Sequence, residues 1–185
     1  MGGLRIRTGT VRTLELAEVF MKIVRYGPGH TPIDTSGYPG YLAQVKDRLP
    51  PGARAYAEAI WHYDFQDQRC PHDAWMDSLI ITEIPDRDHP RRVDLFLRLV
   101  GANHSGYLEF RYTSVTRYAS TVTLGSRGHG DLMIDEITLE DDNQITHEIA
   151  FERGNWEITC RDLSVNWIEA EGEVTSTPPQ VADGI

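Results

Sequence analysis

The chain has 185 residues and carries 18 lysines and arginines against 28 aspartates and glutamates, a formal charge of -10. That surplus disfavours a nucleic-acid phosphate backbone as partner, and no apolar run approaches the length of a membrane-spanning segment. The length suits a single domain with a core large enough to need no disulfide or metal staple.

The opening MGGLRIRTGTVRTLELAEVF has no apolar signal region, and Ile6 stands where myristoylation requires serine or threonine. Leu16, Val19, Phe20, Ile23 and Val24 recur at spacings of three and four, which predicts a helix over residues 14–26. A strand built on FMKIVRY is the rival reading. Gly27-Pro28-Gly29 ends this element, and glycine, proline, serine and threonine dominate as far as Pro39, the composition of a surface loop.

A second helix is predicted over residues 40–48, with Tyr41, Leu42, Val45 and Leu49 on one side. Leu49-Pro50-Pro51-Gly52 stops it, and Pro51 suits the first turn of a third helix over residues 53–64. Tyr56, Ala59, Ile60 and Tyr63 would be its buried stripe. The two form a hairpin laid on a sheet.

Strands dominate from residue 74 onward. AWMDSLIITEI reads as one strand. Val93, Leu95, Leu97 and Leu99 alternate with Asp94, Phe96, Arg98 and Val100 in the next, and Leu108, Phe110 and Tyr112 alternate with Tyr107, Glu109 and Arg111 in a third. Residues 114–124 add one or two strands rich in threonine and aromatic side chains.

The clearest period of two runs through Ile145, His147, Ile149 and Phe151, then Trp156, Ile158 and Cys160, then Leu163, Val165 and Trp167. It predicts three antiparallel strands with these residues inward and Thr146, Glu148, Glu152, Glu157, Thr159 and Arg161 outward. The tail from residue 172, ending in TSTPPQVADGI, has too few apolar residues to pack and is expected to fray. The expected fold is therefore α+β, with N-terminal helices packed against a largely antiparallel, meander-like sheet or open barrel. One domain spans residues 1–171, mainly helical over 14–64 and mainly β over 74–171.

A faint repeat runs through the β region. His72-Asp73 precedes Asp77-Ser78-Leu79-Ile80-Ile81 and Tyr107-Leu108-Glu109-Phe110, and His129 precedes Asp135-Glu136-Ile137-Thr138-Leu139 and Trp156-Glu157-Ile158. Duplication of a three-strand unit continuing one sheet explains it, and so does chance likeness between two meanders.

Cys70 and Cys160 lie far apart, outside any CxxC pair or compact secreted framework. They read as reduced thiols of a cytoplasmic protein, with one long-range disulfide as the alternative. The succession LPPGARAYAE, HDAWMDSLII, DLMIDEI and THEIAFERGNWEITCRDLSV resembles a family of uncharacterised bacterial cytoplasmic proteins, over roughly residues 38–170. Some members of that family resemble immunity-type proteins, which neutralise toxins by binding them. The resemblance implies no catalytic residues and no cofactor.

The clusters His72 with Asp73 and Asp77, His129 with Asp131 and Asp135, and His147 with Glu148 hold metal-ligating types, and a site drawn from His72, Asp73, His129 and His147 would make a metal-binding domain or a metal-dependent hydrolase. Against it, His147 and Glu148 are neighbours on a strand and face opposite ways. Asp141 and Asp142 sit beside Asn143 in a turn, Ser114, Ser120 and Ser126 lack a nucleophile-elbow context, and no phosphate-binding glycine motif occurs. Aromatic and acidic residues point elsewhere, to a protein-binding face that includes Trp61, Trp75, Tyr107, Glu109, Glu148 and Glu157. The expected partner is a basic protein such as a toxin, with homo-oligomerisation through a sheet edge also open.

Overall fold

Alternation of apolar and polar residues commits much of the chain after residue 74 to strands, and their pairing makes two facing sheets. The computed structural model describes residues 21–26, 32–85, 91–126 and 128–171. Among these, two helices, α1 (Tyr38–Val45) and α2 (Pro51–Ala57), precede eight strands. They are β1 (Trp75–Ile84), β2 (Arg92–Val100), β3 (Gly106–Thr113), β4 (Arg117–Ser120), β5 (Leu132–Leu139), β6 (Ile145–Phe151), β7 (Gly154–Cys160) and β8 (Asp162–Glu169).

Sheet 1 has the order β1-β2-β3-β8 and sheet 2 the order β4-β7-β6-β5, every pairing antiparallel. Each half of the β region is thus a three-strand meander, β1-β2-β3 or β5-β6-β7. Its fourth strand crosses over: β4 pairs with β7 and β8 pairs with β3. The faint sequence repeat corresponds to this two-part plan, although the units face each other instead of extending one sheet. The crossing points are tied together, with Arg161 N–H donating to Thr113 C=O at 3.0 Å and Thr116 N–H donating to Thr159 C=O at 2.9 Å.

The inner faces supply one core. Leu95, Leu97, Leu99, Leu108, Phe110, Tyr112 and Leu163 of sheet 1 meet Ile137, Ile145, Ile149, Trp156, Ile158 and Cys160 of sheet 2. The period-two reading of residues 145–167 is observed in its alternation, although Val165 and Trp167 are only half-buried, Thr146 is buried, and the strand pairing differs. β8 does not pair with its predecessor β7, because Cys160–Asp162 is a corner that passes the chain to the other sheet.

The N-terminal expectations need correction. Residues 14–20 lie outside the described residues, and residues 21–26 form bends and one isolated bridge, Arg25 to Asp34, instead of a helix. The amides of Lys22, Ile23 and Val24 donate to the Glu136 carboxylate, so they are not free for helical carbonyls. Helices in the described chain are confined to residues 38–57. The predicted tail also lies outside the described residues.

The helix expected over 53–64 stops at Ala57, and Ile60 is 92% exposed instead of buried. The turns that follow bring His62 and Tyr63 to β5 instead. α2 packs against β8, and Gly52 is needed there: a Cβ at this position would lie 1.8 Å from the carbonyl oxygen of Leu163.

Pro50, at the N-cap of α2, has no side-chain acceptor. Asp162 substitutes from β8, its carboxylate accepting Gly52 N–H at 3.2 Å and Ala53 N–H at 2.9 Å. Asp162→Ala is expected to lower stability by about 1 kcal/mol, as for loss of a local N-cap. A urea midpoint equal to the parent's would show that α2 needs no cap from β8.

The outward edge of β5 is covered by tyrosines. Tyr63 donates its hydroxyl to Asp135 C=O at 2.8 Å, and Tyr38 donates to Ile137 C=O at 2.9 Å while accepting Ile137 N–H. Tyr41 accepts Leu139 N–H at 2.7 Å. Three hydroxyls therefore satisfy backbone groups that an open edge would offer to another strand. β1, by contrast, is an edge with Ile80 and Ile81 exposed.

Candidate functional site

β5 carries two adjacent acids, Asp135 and Glu136, in the middle of a buried strand. Strand alternation sends them to opposite faces, and each organises a different set of partners.

Asp135 points into the core. Its Oδ2 accepts from Tyr56 Oη at 2.7 Å, His147 Nε2 at 2.9 Å and His62 Nε2 at 3.0 Å. Tyr112 Oη lies 2.7 Å from His147 Nδ1. With Nε2–H given to the carboxylate, Nδ1 is the nitrogen that faces the Tyr112 hydroxyl as acceptor. The His62 ring is stacked on Tyr63 and tilted against Tyr56, with centroids 4.1 and 4.2 Å apart.

Burial alone would raise the Asp135 carboxyl. The charge of His62 and the hydrogen bonds from His147 and His62 outweigh it and hold Asp135 well below the usual carboxylate range. The Tyr56 and Tyr112 hydroxyls are pushed far up, mainly by burial, so they remain protonated donors.

A tyrosine–histidine–aspartate chain resembles a proton relay in outline. Here Asp135, His62, His147, Tyr56 and Tyr112 are all sealed in the core, each no more than 2% exposed. A groove of about 390 Å³ between α1 and the residues after α2 is lined in part by His62 and Tyr63, but Asp135 and His147 do not line it. The arrangement ties α2, the following turns, β3, β5 and β6 to one carboxylate.

The histidines singled out from the sequence do not converge. His72 Nδ1 contacts Met133 C=O at 2.7 Å on the β5 edge, beside Asp73, while His129 packs against Phe151 and Trp156 and is lowered by burial. His147 is the core residue just described. Among the described residues no group of three histidine, cysteine, aspartate or glutamate side chains is placed to hold a metal ion. The nitrogen–oxygen separations around Asp135 are those of hydrogen bonds. Both cysteines are free, and burial pushes their thiols up to about 12, leaving little thiolate for nucleophilic chemistry.

Glu136 points to the outer face of sheet 2. Registers place Glu136 opposite Glu148 and Glu148 opposite Glu157, so three acids cross β5, β6 and β7 in one row. Threonines 138, 146 and 159 form the row beside them. This face is drier than alternation alone suggests: Glu136 and Thr146 are buried, Glu148 and Glu157 half-buried, and Glu148 Oε2 is buried with no donor among the described residues. Burial, followed by the hydrogen bond to Glu136 and the charge of Glu136, pushes Glu148 up to about 7. Arg117 of β4 pairs with Glu157, and Lys22 Nζ reaches Glu140 at 2.8 Å.

The remaining binding candidates stand elsewhere. Tyr107 and Glu109 lie on the outer face of sheet 1, where the Arg98 guanidinium sits 3.8 Å from the Tyr107 ring centroid. Trp75 stacks on His104 at 5.2 Å, and Trp61 is half-buried near Arg69. The structure therefore unites Glu148 and Glu157, with Glu136 added, and separates them from Trp61, Trp75, Tyr107 and Glu109. An open cleft of about 500 Å³ lined by Arg91, Arg92 and Arg161 lies at the crossing of the sheets, with Arg91 and Arg92 paired to Glu83 and Asp94.

His62 and the Lys22–Val24 amides escaped sequence reasoning. The readable signal was Asp135-Glu136 itself, two charges inside an apolar strand, which demand partners that local pattern does not name. No helix among the described residues is long and apolar enough to cross a membrane. No protein-family model matches the chain, and no curated protein matches it.

Proposed function

We propose that this protein acts by binding another protein, without catalysis, and that its partner is a basic protein such as a toxin. The outer face of sheet 2 is the binding surface. The observation that carries this reading is the in-register row Glu136–Glu148–Glu157, three acids side by side with no lysine or arginine donor to Glu148 among the described residues. A lysine or arginine from another chain, reaching the row at its half-buried Glu157 end, would add a donor there, and a desolvated charge-assisted hydrogen bond is stronger than its exposed counterpart. The formal charge of -10 would speed encounter with such a partner by long-range attraction.

The test begins with affinity capture from the native cell extract and continues with calorimetry of the purified pair at two salt concentrations. Glu157→Lys is expected to weaken binding by roughly tenfold, about 1.4 kcal/mol, and higher salt to weaken the parent complex. An affinity unchanged by both the substitution and the salt would remove the acidic row from the interface.

A further inference from the structure

We propose that Glu136 and Glu148 hold one proton between them and that this proton fastens residues 21–26 to sheet 2 as a strap, which loosens when the proton leaves. The strap is attached through backbone donors. Glu136 Oε1 accepts Lys22 N–H at 2.6 Å, and Oε2 accepts Ile23 N–H at 3.1 Å and Val24 N–H at 2.7 Å. Three successive amides turned toward one anion form a concave nest of the kind that binds anionic groups, and here a side chain of the same protein fills it. Beneath the strap, Met21 and Val24 pack on Tyr38, Ile134 and Ala150.

The Glu136 oxygens are already engaged as acceptors by those three amides. Glu148 faces Glu136 across the β5–β6 pair, and in the proposed arrangement it carries the proton and donates it to Glu136. Removing it leaves two carboxylates side by side under a covering segment, where repulsion is poorly screened.

The charged groups around the pair act in both directions. Glu157 on β7 raises Glu148 further, and Arg117 on β4 is already paired with Glu157. Lys22, on the strap itself, opposes by favouring ionised Glu148, but its ammonium is held by Glu140 on the far side of Thr138. With Glu148 raised from 4.5 to about 7 in the covered state, attachment is strongest below the ordinary carboxylate range. It weakens as pH rises toward about 7 and levels off above it. Loosening would uncover Ile134 and Ala150 next to the acidic row. The device is a property of the isolated chain and does not depend on any partner.

Hydrogen exchange of the Lys22, Ile23 and Val24 amides in the full chain, corrected for intrinsic rates, tests it from about pH 5 to about pH 8. Their protection is expected to fall about tenfold or more and to level off above about pH 7, while the amides of Ile137 and Ile149 keep theirs. Glu148→Gln has no proton to lose, so its profile should be flat. Wild-type protection indifferent to pH, or an equal fall in the variant, would overturn the proposal. Should the variant not fold, the carbon-13 titration of Glu148 in the wild type decides: a midpoint near neutrality supports the shared proton, and one in the ordinary carboxylate range refutes it.

Discussion

Asp135→Ala is expected to lower stability by about 3–5 kcal/mol, the range for breaking a buried charge network by removing one partner. Three donors, from Tyr56, His62 and His147, converge on one carboxylate oxygen that no water replaces without a cavity opening in the core. Asp135→Asn keeps the volume but forfeits the charge, and should fall between the two. The pH dependence has a definite sign. Because the folded carboxyl ionises more readily than the unfolded one, its contribution is complete above the ordinary carboxylate range near about 4. It drains away as pH falls through that range toward the depressed folded value. Thermal unfolding of parent and variant at several acid pH values should therefore show a shallower dependence in the variant. Parallel curves would mean that Asp135 carries no such linkage, and equal stability at neutral pH would mean that the network is not a structural anchor.

Gly52→Ala is the second large effect, about 3 kcal/mol, at the upper end for overpacking. The methyl would meet a backbone carbonyl 1.8 Å away, and a carbonyl within β8 has no rotamer by which to retreat. Relief requires α2 to move off β8, which also breaks both hydrogen bonds to Asp162. A urea midpoint lowered by no more than a typical exposed alanine substitution would show that α2 shifts without penalty. The two substitutions probe separate attachments of the same helix, since Tyr56 holds its other end to Asp135.

The strands were legible because each has one face against the other sheet. Leu95, Leu97 and Leu99, or Ile145, His147 and Ile149, alternate for that reason. β1 was legible only as a strand: it is an edge, and its Ile80 and Ile81 serve no buried face, which accounts for the ambiguous apolar run. Residues 21–26 misled because their stripe at three and four spacing is real, but their amides bond to an acid more than a hundred residues away. Local periodicity holds no record of such a bond. The same limit hid His62. As one residue of a predicted helix it had no distinguishing neighbour, and only the early end of α2 turns its ring toward Asp135. The candidate binding residues were chosen by type, and the topology sorted them. Glu148 and Glu157 share a face because β6 and β7 pair, whereas Glu109 belongs to the opposite sheet.

The exchange of β4 and β8 between the sheets makes the two halves of the β region mutually dependent. A chain cut between Ser120 and Leu132 would yield an N-terminal piece whose β3 lacks β8 and a C-terminal piece whose β7 lacks β4. Each piece would present raw backbone along a strand and half of a core, so neither meets the usual condition for a domain that folds alone. Mixed together, the pieces carry complementary vacancies, the situation in which fragments reassemble. Within the intact chain, the same reciprocity ties the opening of either sheet to that of the other. Unfolding is then expected as one cooperative event in spite of the two-part plan, unlike repeat arrays whose units come apart in sequence.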